Sequence, residues 1–347
     1  MGYSLRFRAA AIVLLGSMAV SSWSAVPRAA AEPASGKSAA VKPWDARKRL
    51  LEQVSAASGV PWTSLAAVDQ YERTINTARK RKASAPLAGV YYTEEEWFGA
   101  LNPDHSDPSA RTIALFGGAG TDGSGDGLAD PANDLDVLSS RVRQLTRFGT
   151  GADNWKIGVA GVYGSERAVE RIAQFEKIYN HFQKLDLNDH AFPVPLKANY
   201  SYRGTWGASR GWGGHRMHEG TDIFAGYGVP ARSTCYGIVE VMGWNNYGGW
   251  RIGIRDVNNL YHYFAHLSGF AKPLKPGDLV KPGQVIGWVG SSGYGKPGTS
   301  GKFPPHLHYG IYRDNGTKEW SFDPYPMLRQ WEKQERTKGL KVDAVKP

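Results

Sequence analysis

The amino-acid sequence predicts a chain in two parts, a helical N-terminal domain followed by an all-β domain. Three observations carry that expectation. Before residue 190 apolar residues recur at helical spacing, whereas after Pro195 short strand-like runs alternate with Gly-, Asn- and Pro-rich turns. Between the two stands Phe192-Pro193-Val194-Pro195, where two prolines with extended neighbours end any helix. At 347 residues the chain is long enough for two domains of ordinary size, and its 42 glycines suit a turn-rich second half.

Residues 1–31 read as a secretory signal. Arg6 and Arg8 form a basic start, 9–20 an apolar core, and Ala29-Ala30-Ala31 a small-residue cleavage site before Glu32. The apolar run falls short of the ~20 residues of a spanning helix, which leaves an uncleaved anchor as the lesser alternative. No later stretch is apolar enough to span a bilayer, and no cysteine lies near the cleavage site to carry a lipid. The expectation is a secreted or cell-envelope protein. Residues 32–43 suit a disordered spacer. The formal net charge is +10; without 1–31, which hold Arg6, Arg8 and Arg28 and no acidic residue, it is +7. Such a protein adheres to anionic wall polymers or lipid headgroups, and export argues against nucleic acid as a partner. Cys235 stands alone, so no intrachain disulfide and no Cys-based zinc site can form; a small buried strand residue is the expectation.

The helical domain is expected over 44–190. Asp45 is a candidate cap for a helix through Leu50, Leu51 and Val54, and Gly59-Val60-Pro61-Trp62 breaks it. A second helix follows over 64–74, with Leu65, Val68 and Tyr71 on one face. Others are expected at 134–147 and 165–185. A linker over 191–201 leads to the β domain, 202–330, with strands near 238–243, 250–255, 260–267, 284–289 and 308–312. A helix near 325–335 runs into a loose basic tail, 331–347. No internal repeat is present.

Two short motifs carry the chemistry: His218-Glu219-Gly220-Thr221-Asp222 and His306-Leu307-His308. Two imidazoles and a carboxylate on zinc leave a fourth position for water, the arrangement of a catalytic site. On a strand His306 and His308 share a face and Leu307 takes the other, so one ligand and one catalytic neighbour is a natural division. His218 and Asp222 share a face by the same rule. Gly220 and Thr221 argue against a helical zincin motif, which makes Glu219 a surface residue. A third run, 261–267, would put His262, Phe264 and His266 on one face. Six of the nine histidines fall between His215 and His308.

Here the chain resembles the lysostaphin-type (LytM-like) peptidoglycan metalloendopeptidases, over about 198–324. The resemblance rests on four blocks in the family's order: Arg216-x-His218-x-Gly220-x-Asp222-Ile223; Phe264-Ala265-His266-Leu267-Ser268; Val280-x-x-Gly283-Gln284-x-Ile286-Gly287; and Gly290-x-x-Gly293 with Pro305-His306-Leu307-His308. It implies a small antiparallel β-sandwich, barrel-like, with a substrate groove. It also implies one zinc ion per chain held by His218, Asp222 and His308. His266 and His306 would flank the activated water, His306 taking its proton and His266 donating to the oxyanion. The substrate implied is peptidoglycan, cut at a D-Ala–diaminopimelate, Gly–Gly or L-Ala–D-Glu bond. Phe264 departs from the family's usual tyrosine, which would alter a groove wall. His215 could be a substitute ligand, but a groove-edge residue or a plainly exposed one is the expectation. Trp206, Trp212, Tyr227, Trp244, Tyr247 and Trp250 could stack on sugars or peptides, or simply pack.

In the first domain, residues 59–72 resemble the catalytic-helix region of lysozyme-like lytic transglycosylases, and Phe116-Gly117 through Asp134 resembles a later block of the same enzymes. Glu72 would be the acid, but Arg73 replaces the family's small residue, so a degenerate glycan-binding domain is the expectation. Asp122-x-Ser124-x-Asp126-Gly127-x-x-Asp130 also matches the first part of a calcium loop, with Asn133 where the bidentate glutamate belongs. The alternative is a Gly/Asp-rich turn. The whole reads as an exported zinc endopeptidase of peptidoglycan. Its rivals are a non-catalytic wall-binding or amidase-activating module, and a bifunctional enzyme with a working Glu72.

Overall fold

The computed structural model describes residues 42–211 and 216–343. The signal (1–31) and nearly all of the spacer lie outside the described residues, as do Trp212 and His215. No helix among the described residues is long and apolar enough to cross a membrane.

The N-terminal half holds α1 (Pro43–Ser58), α2 (Trp62–Ala78), α3 (Glu94–Phe98), α4 (Ala110–Leu115), α5 (Asp134–Leu145), α6 (Ala152–Tyr163) and α7 (Glu166–Phe182). α1 begins at Pro43, whose missing N–H costs nothing there, and ends on Gly59 at φ 72°. Asp45 lies in its first turn, and the cap position is Lys42. α6 was not expected, because its glycines weaken the helical signal. Gly158 is needed for packing: a Cβ there would lie 1.8 Å from the Leu145 carbonyl oxygen, so glycine lets α6 press against α5.

The C-terminal half holds β1 (Tyr200–Tyr202), β2 (Ser209–Arg210), β3 (Arg216–Met217), β4 (Thr221–Ala225), β5 (Pro230–Arg232), β6 (Gly237–Asn245), β7 (Gly249–Asp256), β8 (Leu260–Phe270), β9 (Leu279–Val280), β10 (Val285–Val289), β11 (His306–Asp314), β12 (Glu319–Ser321) and then α8 (Tyr325–Asp343). Ten strands form one antiparallel network in the order β1-β4-β11-β8-β7-β6-β9, with β10 joining β8 to β5 and β12 on β11; β2 and β3 make a separate ribbon. β8 is the hub. It pairs with β11 as far as Ala265 and with β10 from Leu267 on, so the strand changes partners at His266.

Two expected boundaries move. The 191–201 linker is part of the β domain: Phe192 and Val194 are fully buried in its core, and Ala191 donates to the Thr234 carbonyl. The prolines end a helix without freeing the chain. The expected basic tail continues α8, with Leu328 and Trp331 buried in the same core and Glu332 accepting from Tyr200 and Tyr202.

The two halves share a partly buried ionic seam. Arg171 of α7 donates to Glu240 of β6 at 2.6 Å, Arg255 of β7 binds both Glu240 and Glu319, and Arg167 pairs with Asp314 at the far end of β11. Ile238 and Val257 belong to the helical core cluster, which makes the contact apolar as well as ionic. β11 thus carries His306 and His308 at one end and docks on the helices at the other.

Candidate metal centre

β11 and β4 run antiparallel with His308 opposite Asp222. Alternation then turns His306 and His308 to the groove, while Leu307 and Tyr309 are fully buried in the core. His218 enters from the bend before β4. Three ligand atoms converge there: His218 Nε2 lies 2.9 Å from His308 Nδ1, and each lies 3.1 Å from Asp222 Oδ1. Two donors on a tetrahedral zinc at ~2.0–2.1 Å stand about 3.3 Å apart, so the trio suits such an ion with small adjustment.

Hydrogen bonds fix how each ring presents itself. His218 Nδ1 donates to the Thr205 carbonyl at 2.8 Å, leaving the Nε2 lone pair toward the other two ligands. Arg210 grips Asp222 Oδ2 at 2.5 Å from outside, leaving Oδ1 inward. Gly220 makes room for His308: a Cβ would lie 2.5 Å from the Tyr309 carbonyl oxygen and 2.7 Å from the His308 ring. Burial opposes the charge on Asp222, but hydrogen bonds with His218 and His308 outweigh it and hold the carboxyl far below its usual range. Burial lowers the His308 pKa, which favours the neutral form that can ligate.

His306 and His266 face the same groove, their ring centroids 4.8 Å apart. His306 Nδ1 donates to the Pro304 carbonyl at 2.9 Å, and His266 Nδ1 to that of Ser292 at 2.8 Å. Each neutral ring therefore offers Nε2 as an acceptor. Burial, followed by the neighbouring His306 and His308, lowers the His266 pKa to about 3, so this ring is neutral at ordinary pH. The expected role of His266 as a ready donor to an oxyanion does not fit that tautomer.

The shared face of His262, Phe264 and His266 is also overturned. His266 has φ +62°, a left-handed conformation at the point where β8 changes partners, and this irregularity swings its ring out of the core-facing row. His262 and Phe264 stay fully buried. Phe264 packs on Tyr309 and is no groove wall; Tyr263 lines the groove instead. His262 bonds Tyr309 and Thr234 through Nδ1 and approaches Asp256 at 3.3 Å. Together with Cys235 these make a second convergent cluster, wholly buried and already hydrogen-bonded. Burial pushes the Cys235 thiol up, as an inert core residue requires. Glu219 is exposed and accepts from Tyr312.

The groove has a volume of about 450 Å³. Sequence reasoning missed Arg210, Tyr263, Tyr294 and Phe303 in its lining. No spacing rule relates them to the motifs; only the turn pairings bring them in. Of the expected aromatics, Tyr247 lines it, whereas Trp244 and Trp250 pack edge-to-face on each other.

The first domain gathers no such site. Glu72 is buried, bonded to the Tyr163 hydroxyl at 2.8 Å and paired with Arg141 at 3.3 Å. Burial raises its pKa, yet its neighbours tie the carboxylate within the helical core. The candidate calcium loop turns on itself, as its Gly/Asp-rich turn reading has it. Asp122 accepts from the amides of Gly125 and Gly127, Asp126 from that of Leu128, and Asp130 from that of Ala132. Asn133 is spent capping α5. Among the described residues, Asp122, Asp126 and Asp130 do not converge as a metal-ligand group.

Residues 216–324 match the model of Peptidase family M23. The chain is 53% identical to the L-Ala–D-Glu endopeptidase of Bacillus subtilis across 88% of this chain and 94% of that protein. It is 36% identical to lysostaphin of Staphylococcus simulans, over 33% of this chain and 22% of that protein. A solved structure of a lytM protein from Ruminococcus gnavus, described as a putative glycyl-glycine endopeptidase, aligns at 36% identity. It covers 56% of this chain and 80% of that one, with a TM-score of 0.39.

Proposed function

The chain belongs to peptidase family M23, and we propose that it is an exported, zinc-dependent endopeptidase of peptidoglycan that cuts between L-Ala and D-Glu. One observation carries the chemistry: two imidazoles and a carboxylate converge at 2.9–3.1 Å in an open groove beside two further imidazoles. The bond follows from similarity to the L-Ala–D-Glu endopeptidase along nearly its whole length. Export follows from the substrate's position outside the cytoplasm and from the signal-like residues 1–31.

His218 Nε2, Asp222 Oδ1 and His308 Nδ1 would hold the zinc. When bound, it supplies the Lewis-acid charge that makes water a competent nucleophile at neutral pH. His306 and His266 each present Nε2 as an acceptor, so together they orient an attacking water by its two hydrogens. His306 takes the proton. Asp222 Oδ1 lies 3.7 Å from its Nε2 and stabilises the resulting imidazolium. That same Nε2–H then passes its proton to the leaving amine. The helical domain is assigned a non-cleaving role, because Glu72 is tied up by Arg141 and Tyr163, and a glycan-facing one from the resemblance of residues 59–72 alone. The complete ligand set opposes a purely binding module.

Mass spectrometry of muropeptides digested with and without chelator tests the reading. The expected products carry a new D-Glu amino terminus and vanish with chelator. Products cut elsewhere, or a chelator-insensitive digest, would overturn it.

A further inference from the structure

Arg216 is the groove cation that the peptidase chemistry leaves unused. It lies on β3, two residues before His218, and its side chain lines the same groove as the metal-ligand trio. The guanidinium carbon stands 5.2 Å from the Tyr247 ring centroid and 5.4 Å from that of Tyr294, and Nη2 donates to the Tyr294 hydroxyl. Two rings from separate turns, set at 87° to each other, thus flank it. Tyr294 stacks in turn on His266, with centroids 6.0 Å apart and planes within 17°. Arg216 is therefore one ring away from an imidazole of the same groove.

Its electrostatic position is unusual. Arg210, the other groove arginine, is taken by Asp222, and the groove's remaining carboxylate, Glu219, accepts from Tyr312. Among the described residues Arg216 has no carboxylate within 4.0 Å, and its Nε is buried without a hydrogen-bond partner. A partly desolvated guanidinium that no carboxylate neutralises is completed by an anion, and a carboxylate supplies that charge.

We propose that Arg216 is the specificity residue for a free carboxylate on the substrate residue beside the scissile bond. This rests on the L-Ala–D-Glu reading above. Glutamate has two carboxyl groups and the peptide chain engages only one, so an L-Ala–D-Glu bond has a second carboxyl position next to it, either free or amidated. An enzyme using Arg216 in this way prefers the free acid to its amide.

The experiment uses the zinc-loaded full chain and two synthetic peptides that differ only in whether that carboxyl is free or amidated. Wild type should favour the acid in kcat/KM by about 10- to 100-fold, the range of a charged hydrogen bond. In Arg216→Gln the acid peptide should lose far more than the amide, bringing the ratio near one with zinc content unchanged; Arg216→Lys should restore part of it. A wild type indifferent to amidation, or a variant that loses both peptides equally, would overturn the assignment. If wild type leaves the L-Ala–D-Glu bond of both peptides intact, the reading beneath the assignment fails instead.

Discussion

His218 and His308 are 90 residues apart in sequence, yet Nε2 of one lies 2.9 Å from Nδ1 of the other. Two different local devices produce that approach. His308 is delivered by strand register opposite Asp222, and His218 is held by its Nδ1 bond to the Thr205 carbonyl.

Gly220 is the residue on which this approach depends sterically. Gly220→Ala would push the His308 ring and the Tyr309 carbonyl, since a Cβ lies within 2.7 Å of both. Zinc affinity, measured by chelator competition, should fall about 10- to 100-fold, the cost of misaligning a ligand. Unchanged affinity would mean that β11 can shift at no cost.

His266 and His306 should behave as a pair. Alanine at either should leave zinc content intact and lower kcat by about 10²–10⁴-fold. The double variant should cost little more than either single, because the two acceptors hold one water. Fully multiplicative losses would show that the rings act independently.

Glu72 should be structural. Glu72→Gln should leave peptide cleavage at the wild-type rate, and the His308→Ala protein should release no glycan fragments from cell walls. Reducing ends appearing in that digest would restore Glu72 as a catalyst.

The helical domain should have an acid-sensitive anchor at Asp69. Burial pushes this carboxyl up, but Arg47, Arg73 and the Gly89 amide outweigh it, so its folded pKa lies below the ordinary value. Its stabilisation is therefore complete above the unfolded pKa of about 3.9 and is lost as pH falls through the folded value. Arg47 donates to it at 2.7 Å. Arg47→Met should cost about 3–5 kcal/mol in chemical unfolding at neutral pH, by stranding a buried charge. The deficit should shrink in acid, and a deficit independent of pH would refute the pairing.

Much of the centre was legible in the sequence. Period-two alternation put His306 and His308 on one face and Leu307 in the core, as found. The same rule failed at His266, because a single left-handed residue in β8 reverses the face. Nothing in a run of strand formers announces such a point. Two prolines ended a helix, as read, but could not reveal that Phe192 and Val194 bury themselves in the β core. The acidic loop at 122–130 was ambiguous for a different reason, since carboxylates that bond their own amides have the composition of a calcium site without its convergence.

His218, Asp222 and His308 are proposed to hold one metal ion as a set. Elemental analysis of purified wild type, His308→Ala and His266→Ala tests it most directly. Wild type and His266→Ala should each carry about one zinc per chain, and His308→Ala close to none. A metal-free wild type, or equal loading of all three proteins, would contradict it.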